Sequence, residues 1–232
     1  ASFRPSVRML MAAKLSAVAT HGNASCSRYL VSRIAARMSA DPLDLNPDNA
    51  LAPSRGRLLV SGPYLTDPYF RRTVVLLCAH DHEGSFGFVL NRFVDMDIAD
   101  IMENMPPIMG RVSIGGPVQS GNLYYLHTLG RRIEGSVSVV DGVHMGGDFE
   151  QLRSVLATDP KLAKHVRFFV GYSGWGADQL AKELEERAWL IAPGDKKRVM
   201  NTRLNDLWGD TLRGMGAPYA PLANFPEDPS LN

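Results

Sequence analysis

The sequence predicts a mixed α/β (α+β) fold: a mixed, largely antiparallel β-sheet flanked by helices. The domain carries an extended N-terminal arm and a C-terminal tail. Three observations predict it. Short β-branched or apolar runs outnumber helical patterns, strands and helices do not strictly alternate, and two of the apolar runs are joined by only a few turn-like residues. The 232 residues suffice for one large domain, and 45% hydrophobic content is ordinary for a globular chain.

The elements follow in order. RLLVSG (57–62) is a short strand stopped by Gly62-Pro63, and PYLTDPYF (63–70) is a turn-rich loop cornered at Asp67-Pro68. TVVLLCA (73–79) is continuously apolar, as a strand buried on both faces requires. GSFGFVLN (84–91) is its hairpin partner across HDHEG (80–84). IADIMEN (98–104) reads as a short helix ended by Pro106-Pro107. Strands are expected at 111–115, 123–129, 135–140 and 166–170. Helices are expected at 149–157, 177–189 and 204–213. The stretches 41–56 and 218–232 are proline-rich and read as irregular.

Charge is unevenly distributed. Before Asp41 stand six basic residues, Arg4, Arg8, Lys14, Arg28, Arg33 and Arg37, and no acid. From residue 51 on, 19 Lys/Arg stand against 21 Asp/Glu, a net charge of −2, with no basic excess to suggest nucleic-acid binding by itself. An acid-free Arg/Ser/Ala-rich segment has the composition of an organellar transit peptide. Val31, Ile34, Ala35 and Met38 fall at i, i+3, i+4 and i+7, the pattern of a basic amphipathic helix. No window of 18 consecutive apolar residues exists, so no membrane span is expected. The two cysteines, Cys26 and Cys78, are too few for a disulfide framework.

Several motifs then occur in a fixed order: RLLV (57–60) with PYLTDPYFRRTVV (63–75), CAH (78–80) with GSFGFVLNR (84–92), GGPV (115–118), Leu126-His127, GYSGWG (171–176), Gln179-Leu180 and Ala188-Trp189-Leu190. Together they resemble the AlgH/YqgE family over about 56–216. That resemblance implies a bacterial family, also found in eukaryotes with organelles, whose members are mostly uncharacterised. Some are described as transcriptional regulators, with no established enzyme activity or cofactor.

The chemistry-bearing residues give no coherent active site. GYSGWG precedes a helical pattern, but its spacing is G-x-x-G-x-G and no Lys-Ser/Thr follows, so a phosphate loop is not expected. Its glycines read as positions of positive φ or close backbone approach. Cys78 and His80 lie two apart and would share a strand face, yet the apolar VVLLCA run points to an inert buried thiol. His127 and His144 stand alone, so no metal site is expected. Phe86 and Phe88 read as core aromatics rather than as an RNA-stacking pair. Asn91, Arg92, Gly115, Gly116, Gly171, Tyr172 and Trp175 are a candidate ligand cleft.

From these readings the expected function is a non-catalytic structural component of an organellar assembly in the mitochondrial matrix, foremost the mitochondrial ribosome. It would be anchored by its arm to other proteins and to ribosomal RNA, with no cofactor. Two alternatives stand beside it: a free-standing AlgH-like regulator or small-ligand-binding protein, and an accessory subunit of a respiratory-chain complex.

Overall fold

The computed structural model describes residues 49–226, except 95, 97, 102–104, 106–110 and 204–205. The basic residues Arg4 to Arg37 lie outside the described residues, as does the amphipathic pattern over 28–39.

Ten strands form one curled sheet in the order β10-β1-β2-β3-β9-β6-β8-β7, with β4 and β5 off this path. They are β1 (Arg57–Ser61), β2 (Val74–Asp81), β3 (Gly84–Val89), β4 (Phe93–Val94), β5 (Val112–Ile114), β6 (Val118–His127), β7 (Val137–Val140), β8 (Val143–Met145), β9 (Val166–Gly176) and β10 (Trp189–Pro193). Every pairing is antiparallel except β5 with β9. The mixed, largely antiparallel sheet that the sequence predicts is therefore the one observed.

Residues alternate between two sides of the sheet because strand side chains have a period of two. On the inner side Leu58, Val60, Val74, Leu76, Phe88 and Phe169 form the largest core. The helices α4 (Lys196–Met200) and α5 (Leu207–Gly214) close over it through Val199 and Trp208. The outer side divides in two. Leu59, Val75, Val89 and Trp175 pack beneath α3 (Gln179–Glu185). Tyr125, Phe168, Leu152 and Ile98 join α2 (Phe149–Thr158) and the short α1 (Ile98–Ile101) to the other half. Burying a leucine or phenylalanine side chain contributes about 1.5–3 kcal/mol, so these three clusters hold the sheet in its curl.

Four expectations are revised. The strand expected at 166–170 runs on to Gly176, so the GYSGWG motif is itself strand. The helix expected at 177–189 ends at Glu185. Arg187 adopts a left-handed φ of 57°, and Trp189 begins β10, whose apolar run is drawn out by pairing with β1. The strand expected at 123–129 starts earlier, at Val118. The tail forms a 3-10 helix at Ala220–Asn224 with Leu222 buried in the inner core.

Register shifts interrupt three of the pairings, β2–β3, β6–β9 and β7–β8, and the first two fall beside the candidate residues. Between Leu77 and Ala79 the β2–β3 register slips by one residue. Leu76, Cys78 and Phe88 lie in the inner core, whereas His80 pairs with Ser85 on the opposite side. In β9, Phe169 and Tyr172 both face the inner core although they are three apart. The slip falls at Gly171, whose φ of +68° a residue with a Cβ seldom adopts.

Candidate binding surface

The glycines expected to line a cleft instead close it. A Cβ on Gly115 would lie 2.3 Å from the Gly171 carbonyl, and one on Gly171 would lie 2.5 Å from the Gly116 carbonyl. Backbone meets backbone here, and Ser173 Oγ donates to the Gly115 carbonyl at 3.0 Å. Tyr172 faces the inner core, against Phe86 and Tyr124. Trp175 faces the outer side, against Phe70 and Trp189. Its indole N–H and that of Trp189 both donate to one oxygen of Glu183, each at 2.8 Å. The proposed cleft is thus two opposite walls of one strand. Phe88 stacks on Phe169 in the inner core, where the sequence places it.

Asn91 and Arg92 do come together, around a different segment. Asn91 accepts from the Val74 N–H at 3.0 Å and donates to the Arg72 carbonyl at 2.7 Å, an amide clamp across the end of the 63–73 loop. Arg92 donates to the Arg71 carbonyl at 2.6 Å. Between the clamped carbonyls the Arg72 backbone is left-handed, with φ of 51°. A non-glycine residue held there stores strain of order 1 kcal/mol and persists only where its surroundings over-determine it.

The surroundings do. The buried Asp67 carboxylate accepts from the N–H groups of Tyr69 (2.8 Å) and Phe70 (3.1 Å), fixing the Asp67-Pro68 turn. Thr73 N–H donates to Ser61 Oγ, and Trp208 donates to the Ser61 carbonyl at 2.8 Å. The Arg72 guanidinium lies 4.7 Å above the Trp208 ring and also donates to the Phe225 carbonyl. What this fixed corner presents outward is Tyr64, 49% exposed and edge-on to Phe225, Tyr69, 57% exposed, and Arg71. Tyr64 and Tyr69 are two of the three large apolar side chains that stand exposed among the described residues, the third being Met96.

Next to Asn91 in the chain, the Leu90 carbonyl meets Arg167, which is 2% exposed. It donates to the Leu90 carbonyl, to the Val199 carbonyl at 2.6 Å and to Ser113 Oγ. No ion pair to it is present among the described residues. Burial lowers its pKa, and the acceptors and the Phe93 and Phe169 rings hold the guanidinium in place.

Cys78 and His80 are turned apart. Burial raises the Cys78 thiol well above its usual range, and the bulge turns His80 to the other side of the sheet, where its Nδ1 meets Ser85 Oγ at 2.7 Å. His127 is fully buried and its pKa is pushed down to about 4, chiefly by desolvation. Its Nδ1 accepts from Leu129 N–H, so Nε2 carries the proton and donates to the Gly146 carbonyl. Among the described residues no group of three His, Cys, Asp or Glu could hold a metal, and no helix is long and apolar enough to cross a membrane.

The sequence reading missed Tyr64, Tyr69, Arg71 and Arg167. The available signal was Asn91, a polar residue directly after a buried strand.

A family model described as AlgH-like matches residues 58–220. A UPF0301 protein of Cytophaga hutchinsonii is 39% identical over 180 residues, covering 77% of this chain and 99% of that protein. One from Chlorobaculum tepidum is 40% identical, covering 76% of this chain and 95% of its own length. Among solved structures, a Corynebacterium diphtheriae protein superposes with a TM-score of 0.65 at 24% identity, over 81% of this chain and 100% of that one. The AlgH protein of Pseudomonas aeruginosa gives 0.60, also at 24% identity, over 80% and 96%. These last two establish the fold.

The relatives are bacterial proteins matched over nearly their whole length, and their descriptions are neither ribosomal nor mitochondrial. The expectation of a mitochondrial ribosomal component that binds ribosomal RNA, sited in the mitochondrial matrix, is corrected on that finding. Basic composition at the start of a chain was a weak address, because arginine-rich, acid-poor segments arise in other contexts.

Proposed function

The chain belongs to the AlgH-like family, and from that premise we propose that it works as a free-standing, non-catalytic regulatory protein. It binds a protein partner through the corner formed by Tyr64, Tyr69 and Arg71. The observation that carries this reading is the clamp itself. A strained Arg72 backbone is fixed by Asn91 and Arg92 so that its neighbours stand exposed in one conformation. Tyrosine and arginine supply contact area and directional donors at interfaces, and prior rigidity lowers the entropy lost on binding. The small-ligand alternative is less well supported, because the glycines that would have lined a cleft are packed against one another.

The test compares cellular cross-linking by the wild-type chain, a Tyr69→Ala/Arg71→Ala variant and an Arg153→Ala control on the exposed face of α2. A defined cross-linked partner should disappear with the corner variant alone. Equal partner yields from all three chains would sink the reading, as would nuclease-sensitive complexes in place of a protein partner.

A further inference from the structure

Three stretches of chain meet at the corner: 62–73, 90–94 and 219–226. Between them they carry three arginines, Arg71, Arg72 and Arg92, and one acid, Asp67. Asp67 is buried, and its carboxylate already accepts from the Tyr69 and Phe70 N–H groups. From residue 51 on, acids outnumber Lys and Arg by 21 to 19, so this local excess of cations runs against its background. Clustered charge of one sign raises the local potential and draws in ligands of the other sign.

Two of the arginines work inward. Arg72 donates to the Phe225 carbonyl beside Trp208, and Arg92 donates to the Arg71 carbonyl. Arg71 differs from both. Its side chain is exposed, and among the described residues its guanidinium forms no ion pair. Its backbone is pinned all the same: the N–H donates to the Asp67 carbonyl at 2.8 Å, and the carbonyl accepts from Arg92. A guanidinium carries five N–H donors and no acceptor, and its fork takes a carboxylate through two bonds at once. Apolar surface stands near it. Tyr64 lies edge-on to Phe225, with ring centroids 5.4 Å apart, and both Tyr64 and Tyr69 present ring surface to solvent.

We propose that the corner recognises an acidic segment of its partner, with an Asp or Glu carboxylate on Arg71 and a neighbouring proline or aliphatic residue against Tyr64 and Tyr69. This rests on the reading of the corner as a protein-binding surface and names the chemistry of what it binds. The charges favour a carboxylate over a nucleic acid. One outward guanidinium matches one carboxylate, whereas a phosphate backbone is held through several cations along a track. Here the other two arginines are spent on carbonyls of the corner itself, and acids predominate in the rest of the domain.

The experiment selects displayed random peptides on the immobilised full chain and measures the recovered peptides by fluorescence anisotropy. The wild type should enrich peptides with Asp or Glu beside Pro or an aliphatic residue, and their binding should weaken as salt is raised. Changing that acid to its amide should weaken binding roughly tenfold, and so should Arg71→Gln. Arg71→Lys keeps the charge without the fork and should fall between wild type and Arg71→Gln. Peptides that need Tyr69 but carry no acid overturn the proposal and leave the corner as a binding surface. Peptides indifferent to both Tyr69→Ala and Arg71→Gln, or no enrichment at all, overturn the proposal and the corner together. Tighter binding of oligouridylate than of any recovered peptide also overturns it. So does peptide binding seen only in a Glu227→Gln/Asp228→Asn variant, which would give the corner to the chain's own acids.

Discussion

The 171–176 segment and the 63–73 corner invite opposite mistakes. The glycine-rich segment carries three glycines, a tyrosine and a tryptophan, the composition of a site. In the fold it is a central strand whose Gly171 lets backbones touch and whose aromatic rings are buried on both sides. The corner has the composition of an ordinary turn-rich loop, yet it holds a strained backbone under two side-chain clamps and points tyrosines into solvent. The lesson is that unusual residues mark where geometry is demanding, and exposure decides whether the demand serves the fold or a partner.

Changes to the strand should cost stability, and changes to the corner should cost binding. The largest effect is expected from Gly171→Ala, which forces a Cβ to 2.5 Å from the Gly116 carbonyl at a left-handed φ. Urea titration should show a loss of about 3–5 kcal/mol, or no folded protein. A loss under ~1 kcal/mol would mean that the backbone contact is slack and a cleft can open there after all. Arg167→Met should follow, at roughly 2–4 kcal/mol, because it leaves the Leu90 and Val199 carbonyls buried without donors.

A smaller effect appears as a pH dependence. The folded His127 has its pKa lowered to about 4 from 6.5, so between those values the unfolded chain binds more protons. Stability should therefore fall as pH drops from about 6.5 to 4, by roughly 2–3 kcal/mol attributable to this residue, since each unit of the shift corresponds to about 1.4 kcal/mol. His127→Gln should flatten that part of a denaturation-versus-pH curve. Smallest in stability, and most telling for the comparison, are the corner variants. Asn91→Ala removes both arms of the amide clamp and should cost about 1–2 kcal/mol. Tyr69→Ala/Arg71→Ala should cost under ~0.5 kcal/mol, yet reduce cross-linking more than Asn91→Ala does. A reversed order in cross-linking would move the binding surface away from the corner.

Much of the fold was legible in the residues. The continuous apolar run of β2 and the short connection to β3 required a buried hairpin, and the ordered motifs pointed to the family. The length of β9 was not legible, because glycine-rich strand and glycine-rich turn are alike until the partner strand is known. Nor was the end of α3: the helical spacing continues into Ala188, and it takes pairing with β1 to pull Trp189 into a strand. The candidate site was half legible. Asn91 and Arg92 stood out as polar residues after an apolar strand, but their partners lie some 20 residues upstream. For Cys78 and His80, the assumption of unbroken alternation failed at a bulge that no residue type announces.

The three tryptophans carry a consequence for observing the molecule. Trp175 and Trp189 share the Glu183 carboxylate on the outer side, with ring centroids 5.9 Å apart. Trp208 lies alone on the inner side, bonded to Ser61 and covered by Arg72. The intrinsic fluorescence of the chain is therefore already partitioned into an excitonically close pair and an isolated reporter. With Trp175 and Trp189 replaced by phenylalanine, the remaining emission would come from the residue that touches the corner, so loosening of that corner becomes visible without any attached dye.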